Sequence, residues 1–258
     1  MDEYTVKVIV AVHKPYEMPV DKMYLPIHVG AAGKDSLGYQ RDDEGENISN
    51  LNPYYCELTG LYWAWKNLNV DYIGLVHYRR LFAMNGHILT EADIQPFFGN
   101  VKVFTPSKRR YYVETLKSHY AHTHCPEHLD VTRSVVIRLY PDYLDTYDKA
   151  IGRTWGYMFN MMIMEKTLLD NYCTWLFDIL NDVFRQIDTI DYPDFTKRYV
   201  GRISEILFNV WLEKKIEDGE IQKNEIKELD CNLEENWLVK IPMFLKAKFF
   251  GKKYEGSF

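Results

Sequence analysis

The sequence contains no apolar run near the roughly 20 residues that a membrane-spanning helix requires. Its first three residues, Met1-Asp2-Glu3, include no basic residue, whereas a secretion signal begins with positive charge. The four cysteines lie far apart and include no CxxC pair, so we expect neither a disulfide framework nor a cysteine-based zinc site. Together these absences lead us to expect a cytoplasmic protein.

Two common nucleotide-binding signatures, GxGxxG and the P-loop, are also absent, and we find no internal repeat. With 258 residues, 47% of them hydrophobic and 26% charged, the composition is that of a globular chain and excludes disorder. The net charge of −6 argues against a nucleic-acid partner. Aromatic residues are frequent, with 20 Tyr, 13 Phe and 6 Trp, and they supply the rigid amphipathic surface found in sugar and nucleotide clefts.

Residues 236–258 differ in composition from the preceding chain. They carry five lysines against the single acid Glu255, interleaved with Trp, Phe and Leu, which is typical of a segment on an anionic membrane surface. A strand or helix docked on the domain is the alternative, and Pro242 would interrupt any long helix there. We therefore divide the chain into a domain over 1–235 and a basic aromatic tail over 236–258 that either docks on it or contacts the inner face of the cell membrane.

Apolar β-branched runs alternate with helical patterns along the domain. Strands are predicted over 4–12, 24–29, 71–76, 101–104 and 155–164. One helix is predicted from Pro53, with Asn52 as its cap, and others near 166–187 and 202–215. The alternation predicts an α/β fold on one open, mostly parallel sheet with helices on both faces and a helical C-terminal part.

Polar residues follow four of the predicted strands. The first strand runs into His13-Lys14, the second into Gly30-Ala31-Ala32-Gly33, the third into the HYRR motif of residues 77–80, and the fourth into residues 106–110. Because ligands of open α/β sheets bind outside the carboxyl ends of the strands, these residues should meet at one rim. Several cations and glycines at one rim favour an anion with two or more phosphates.

Five segments, in this order, resemble one known family: VAVHKPYEMP, LPIHVGAA, GENISNLNPYYCELTGLYWAWKN, DYIGLVHYRRLF and FNMMIM. The family is the bacterial group of unknown-function domains found in capsular and exopolysaccharide gene clusters, regarded as glycosyltransferases of the GT-A type. The resemblance is strong over the first two thirds of the chain and looser around Glu205. It implies an enzyme that transfers a hexose, galactofuranose or galactose, from a UDP-sugar to a growing lipid-linked capsular or exopolysaccharide acceptor.

Carried over residue by residue, the resemblance implies a donor site. The residues that it places around the donor are His13, Lys14, Gly30, Ala31 and Ala32 at the nucleotide, Asn47, Ser49 and Asn52 in the loop beneath it, and His77, Arg79 and Arg80 at the diphosphate.

The sequence departs from better-known GT-A enzymes at HYRR. Those enzymes carry an acidic DxD pair at this position, since a divalent cation neutralises the leaving nucleoside diphosphate. Fixed guanidinium groups can stabilise the same charge, and a cationic cluster repels Mg²⁺ and Mn²⁺. The resemblance and this substitution therefore predict transfer without a metal or other cofactor, with Arg79 and Arg80 as catalytic residues. The acidic loop over 42–46 leaves a residual metal role open, although a solvated loop is the favoured interpretation.

An inverting transfer also needs a general base, and Glu205 is the first candidate because Gly201 permits close approach and the following helix would hold the carboxylate. A first-turn glutamate that stabilises the helix dipole is the alternative, and Glu57 is the second candidate base. On the acceptor side we expect Trp155 and Asn160, since sugars stack on Trp and bond to amides.

Two other functions stay open. Four histidines, His119, His122, His124 and His128, lie within ten residues and can ligate zinc, which suggests a zinc-dependent hydrolase. However, HExxH is absent and Pro126 interrupts the presumed helix. The other alternative is a non-catalytic module that binds an anionic glycan or nucleotide through the same basic rim.

Overall fold

The computed structural model describes residues 4–233, so the tail over 236–258 lies outside the described residues. The strands are β1 (Val6–Val12), β2 (Tyr24–His28), β3 (Gln40–Arg41), β4 (Tyr72–His77), β5 (Arg80–Met84), β6 (His87–Ile88), β7 (Val103–Pro106), β8 (Arg109–Arg110), β9 (Trp155–Gly156), β10 (Met162–Glu165) and β11 (Ile226–Leu233). The helices are α1 (Asn52–Tyr55), α2 (Leu58–Asn67), α3 (Glu91–Ile94), α4 (Leu116–Ala121), α5 (Glu127–Leu139), α6 (Leu144–Ile151), α7 (Lys166–Gln186), α8 (Asp194–Lys197) and α9 (Tyr199–Glu217).

The main sheet has nine strands in the order β3-β2-β1-β4-β10-β7-β11-β5-β6. β1 pairs in parallel with β2 and β4, whereas β10 runs antiparallel to both of its neighbours, β4 and β7. An additional antiparallel pairing joins β4 to β5 through His77 and Arg80, so that β4, β10, β7, β11 and β5 close into a ring. The α/β class is confirmed, but the prediction of an open, mostly parallel sheet is wrong because β10 runs antiparallel between β4 and β7 and the antiparallel β4–β5 pairing closes the ring.

Both faces of β1 are buried, as its unbroken apolar run predicts. Ile9 and Ala11 belong to the larger core, which the helices α2, α5, α6, α7 and α9 complete. Val8 and Val10 belong to a second core on the opposite face, together with β5, α3 and residues 97–101. Long helices therefore cover one face, and the predicted helical layer on the other is replaced mainly by a hairpin and loops.

Two predicted elements are interrupted by residues in the left-handed region. The helix from Pro53 divides into α1 and α2 at Cys56, whose φ is 54°. The strand over 155–164 divides into β9 and β10 around Phe159 and Asn160, whose φ values are 78° and 54°. Residues other than glycine in this region cost about 1–2 kcal/mol each, so the surrounding contacts must hold them there.

Candidate functional site

Basic side chains gather at the carboxyl ends of β1 and β4. Tyr78, in the turn after β4, is buried, and its ring centroid lies 5.3 Å from that of His13. The same ring has the Lys14 ammonium 5.7 Å and the Arg79 guanidinium 5.3 Å from its centroid. The structure thus brings together His13, Lys14 and Arg79, as the sequence predicted.

Two further cations, Lys34 and Arg198, lie at the same place. Burial lowers the pKa of His13, and the positive charges of Lys14, Arg79, Arg198 and Lys34 lower it further. We call these five residues the cationic rim. Within residues 4–233, no carboxylate forms an ion pair with Lys14, Lys34 or Arg79, so this part of the rim is available to a bound anion.

The glycine loop after β2 is held from inside by Asp42. This fully buried carboxylate accepts hydrogen bonds from the Gly30 amide (2.7 Å), the Ala31 amide (2.9 Å) and the Ser49 hydroxyl (2.5 Å). Ser49 Oγ also accepts one from the Ala32 amide at 3.1 Å. These amides are therefore occupied and shape the wall of the site, and the interpretation of Asp42 as part of a solvated loop is wrong.

Asn47 and Asn52 support this loop from opposite sides. Gly30 has φ of 64° and packs so closely on Asn52 that a Cβ would lie 2.4 Å from the amide oxygen. Asn52 does not cap the helix through its side chain; its Nδ2 donates to the Cys56 carbonyl at 2.7 Å instead. Asn47 is exposed and accepts a hydrogen bond from the Ser49 amide at 3.2 Å.

The two arginines of HYRR lie on different rings, Arg79 on Tyr78 and Arg80 on Phe159. The Arg80 guanidinium carbon lies 3.7 Å from the centroid of this ring, and that of Arg109 lies 5.6 Å from it. The Phe159 carbonyl accepts a hydrogen bond from His77 Nε2 at 2.6 Å. Arg79 therefore belongs to the cationic rim, whereas Arg80 stacks on the ring of Phe159 in the strained turn.

Asn160, the second residue of that turn, is buried and forms three hydrogen bonds. Its Nδ2 donates to Glu57 Oε1 at 2.7 Å and to the Gly201 carbonyl at 3.0 Å. Its Oδ1 accepts from the Ser204 hydroxyl at 2.6 Å. Asn160 was predicted as an acceptor contact; the structure places it inside the domain, where it joins the turn to α2 and α9.

The two candidate bases, Glu57 and Glu205, have different partners. Burial raises the pKa of Glu57, but His77, the hydrogen bond from Asn160 and the charge of Arg202 outweigh burial and leave the pKa below its ordinary value. Glu205 is 4% exposed and accepts a hydrogen bond from Arg202 Nη1 at 2.8 Å. Because α9 begins at Tyr199, Glu205 lies in its second turn and not in the first turn, where a helix dipole acts most strongly.

Trp155 lies apart from the rim, on β9. It is partly exposed and has the Lys108 ammonium 4.9 Å and the Arg153 guanidinium 4.8 Å from its ring. The exposed part of this ring remains a candidate surface for a sugar.

The four histidines do not form one group. His128 is buried between the hydroxyls of Tyr120 (2.8 Å) and Tyr192 (2.9 Å), and burial lowers its pKa to about 4. His124 packs on Tyr120, whereas His119 and His122 lie beside Glu114. Over the described part of the chain, no three His, Cys, Asp or Glu side chains are placed to hold a metal ion. The zinc hydrolase alternative therefore has no geometric support.

The family model described as "Domain of unknown function (DUF4422)" matches residues 7–216. The chain belongs to the DUF4422 family. This DUF4422 chain is also similar to the solved apo structure of the WbbM bifunctional glycosyltransferase, with a TM-score of 0.81 and 31% sequence identity over 90% of its length. It spans 46% of that protein. No curated protein matches the chain significantly. The structural match supports the prediction of a transferase enzyme.

Reasoning from sequence missed several residues of the DUF4422 site. Asp42 is part of an acidic run, which is typical of a solvated loop, and Phe159 is part of an apolar segment, which is typical of a core strand. Arg198 and Arg202 flank the start of α9, and their approach to the rim depends on how that helix packs.

In the part of the chain that the structure describes, no helix is long and apolar enough to cross a membrane.

Proposed function

We propose that this protein is a glycosyltransferase with a GT-A-like fold. It transfers a hexose, galactofuranose or galactose, from a UDP-sugar to a growing lipid-linked capsular or exopolysaccharide acceptor. The observation that carries the proposal is the cationic rim at the carboxyl ends of β1 and β4, where α/β sheets bind their ligands. Its net positive charge suits the diphosphate of such a donor.

The rim would stabilise the leaving group. When the bond between the anomeric carbon and the diphosphate oxygen breaks, the electron pair stays on the UDP, whose charge rises. Arg79 and Lys14 can donate charge-assisted hydrogen bonds to the phosphate oxygens as that charge develops. Arg80, held on Phe159, adds further positive potential. These fixed charges would neutralise the leaving diphosphate, as a divalent cation does in better-known GT-A enzymes, and transfer would then be independent of metal.

We assign the general base to Glu205. The acceptor hydroxyl would lose its proton to this carboxylate as its oxygen attacks the anomeric carbon. The hydrogen bond from Arg202 fixes the orientation of Glu205. Glu57 is held by Asn160 and lies 4.0 Å from His77 Nε2, so it fits a supporting role better than proton transfer.

Binding of UDP and UDP-galactose in EDTA tests the diphosphate site. Arg79→Ala should weaken UDP binding about 10- to 100-fold, because a hydrogen bond to a charged group contributes about 1.5–3 kcal/mol, and Arg79→Lys should lose less. Arg133→Ala is the matched control, since that exposed guanidinium pairs with Asp148 on the surface. Unchanged UDP affinity in Arg79→Ala would remove Arg79 from the donor site.

Release of UDP from UDP-galactose or UDP-galactofuranose separates an enzyme from a binding module. The wild type should release UDP in EDTA, and Glu205→Gln should bind UDP normally while transferring no sugar. Normal transfer by Glu205→Gln would exclude Glu205 as the base, and binding without any turnover would favour the non-catalytic module.

The basic aromatic tail over 236–258 would hold the enzyme on the inner face of the membrane, where a lipid-linked acceptor lies. The full chain should sediment with anionic vesicles at low salt and be released at high salt. Equal binding to neutral and anionic vesicles would contradict an electrostatic contact.

A further inference from the structure

Glu114, His119 and His122 form a second polar group. We call it the Glu114 cluster. The carboxylate of Glu114 is 5% exposed, and its oxygens lie 3.3 Å from His119 Nδ1 and 3.4 Å from His122 Nδ1. Because a carboxylate only accepts hydrogen bonds, Nδ1 of His119 is the donor in its bond to Glu114, and Nε2 of the neutral ring is then an acceptor.

This cluster is continuous with the proposed donor site. The ring of Tyr111 stacks on His119 with centroids 4.2 Å apart, and the Arg109 guanidinium carbon lies 5.5 Å from the same tyrosine ring. Arg109 in turn faces Phe159, the ring on which Arg80 stacks. Tyr111, Arg109 and Phe159 therefore connect the Glu114 cluster to Arg80.

The chemistry of the cluster differs from that of the rim. Burial and the charge of Arg109 together lower the pKa of His119 to about 4, against the opposing effect of Glu114. The ring is therefore neutral near pH 7. A buried carboxylate beside a neutral imidazole repels phosphate, whereas the ring nitrogen presents an acceptor that suits a hydroxyl group.

Both imidazoles are accessible from solvent, with 26% of the His119 side chain and 33% of the His122 side chain exposed. Within residues 4–233 neither ring has a hydrogen bond through Nε2. Tyr112, which follows Tyr111 in sequence, is 80% exposed and has φ of 58°. Partly exposed imidazoles and an exposed aromatic side chain are groups that bind a sugar, through its hydroxyls and its apolar face.

We propose that the Glu114 cluster and Tyr112 bind the acceptor sugar. His119 and His122 would form hydrogen bonds with two of its hydroxyl groups, Glu114 would hold both rings, and Tyr112 would pack on the sugar ring. This inference rests on the proposed glycosyl transfer, and it assigns the acceptor to the Glu114 cluster and the diphosphate to the cationic rim.

Kinetics with octyl β-galactoside as acceptor test this assignment. His119→Gln, His122→Gln and Tyr112→Ala should each raise the KM for the glycoside about tenfold, as expected for one lost hydrogen bond or stacking contact. Their UDP affinity and their release of UDP without acceptor should stay unchanged. His87→Gln is the matched control, because His87 forms an imidazole–carboxylate pair with Asp93 on the surface. An unchanged KM in all three variants would overturn the proposal.

A second measurement does not depend on turnover. In the presence of UDP, octyl β-galactoside should shift the imidazole NMR resonances of His119 and His122 but not that of His87. If neither resonance moves, the cluster is not a sugar site. If they move although the wild type releases no UDP from a UDP-sugar, the sugar site stands and the proposed transfer fails.

Discussion

The hydrogen bonds of Asn160 should be worth a large part of the stability of this domain. Replacing Asn160 by Ala removes a bond to the Glu57 carboxylate and two bonds to neutral partners. The first contributes about 1.5–3 kcal/mol and each of the others about 1 kcal/mol. Alanine at φ of 54° costs about 1 kcal/mol more than asparagine. Allowing for relaxation, we expect the free energy of unfolding to fall by about 3–5 kcal/mol, measured by urea denaturation.

A series at this position separates the side chain from the backbone. Asn160→Gly loses the same hydrogen bonds but accepts positive φ, so it should be about 1 kcal/mol more stable than Asn160→Ala. In most positions of a folded chain the order is the reverse. Asn160→Asp keeps the acceptor for Ser204 but places a second carboxylate against Glu57, so it should be least stable at neutral pH and recover on mild acidification.

Asn85 is the matched control for this series. It has φ of 52° in the turn between β5 and β6, and its side chain is exposed. Asn85→Ala should therefore cost only the backbone term, about 1 kcal/mol. If Asn160→Ala is no more destabilising than Asn85→Ala, the three hydrogen bonds do not hold the turn, and our account of the site is refuted.

Two further perturbations test the core and the glycine loop. Burial holds the pKa of His128 at about 4, below its ordinary 6.5, so the unfolded chain takes up a proton that the folded chain does not. His128 should therefore contribute about 2 kcal/mol to the fall in the free energy of unfolding from pH 8 to pH 5. His128→Gln should remove this contribution and leave that of His119, measured by urea denaturation, whereas His87→Gln should leave the whole dependence unchanged. Equal slopes in both variants would contradict the assignment. Asp42→Asn places an amide donor against the loop amides and should cost about 2–4 kcal/mol in thermal unfolding, whereas Asp43→Asn, at a surface pair with Arg41, should cost less than about 1 kcal/mol. Equal losses would show that Asp42 does not hold the loop.

Local patterns predicted the elements whose ends coincide with changes in hydrophobic period. The helix predicted near 166–187 is α7, and the buried run over 4–12 contains β1. The pairing partners could not be predicted in the same way. β11 lies between β7 and β5, far from both in sequence, and no periodicity specifies such a neighbour. The breaks at Cys56 and Phe159 were missed because neither residue is a glycine or proline.

The site was also predicted only in part, because some of its contacts follow from local patterns and others depend on long-range packing. The rule that ligands bind at the carboxyl ends of strands brought His13, Lys14 and Arg79 together correctly. It could not separate Arg79 from Arg80, since that depends on Arg80 beginning the antiparallel strand β5. The burial of Asp42 could not be predicted either, because its hydrogen-bond partners are loop amides, which no sequence motif identifies.

The charges of the described residues agree with the direction of the proposed reaction. Separate segments of the chain supply the cations of the rim, and their repulsion is relieved when an anion binds. Two buried carboxylates have partners of their own: Glu205 has Arg202, and Glu114 has two imidazoles. A bound diphosphate would therefore meet a positive potential, and an uncharged acceptor would meet a polar surface whose carboxylate is already partnered. The rim would hold the diphosphate of the donor in the ground state and stabilise it further as the leaving group takes up charge, and this added stabilisation is the part that lowers the barrier.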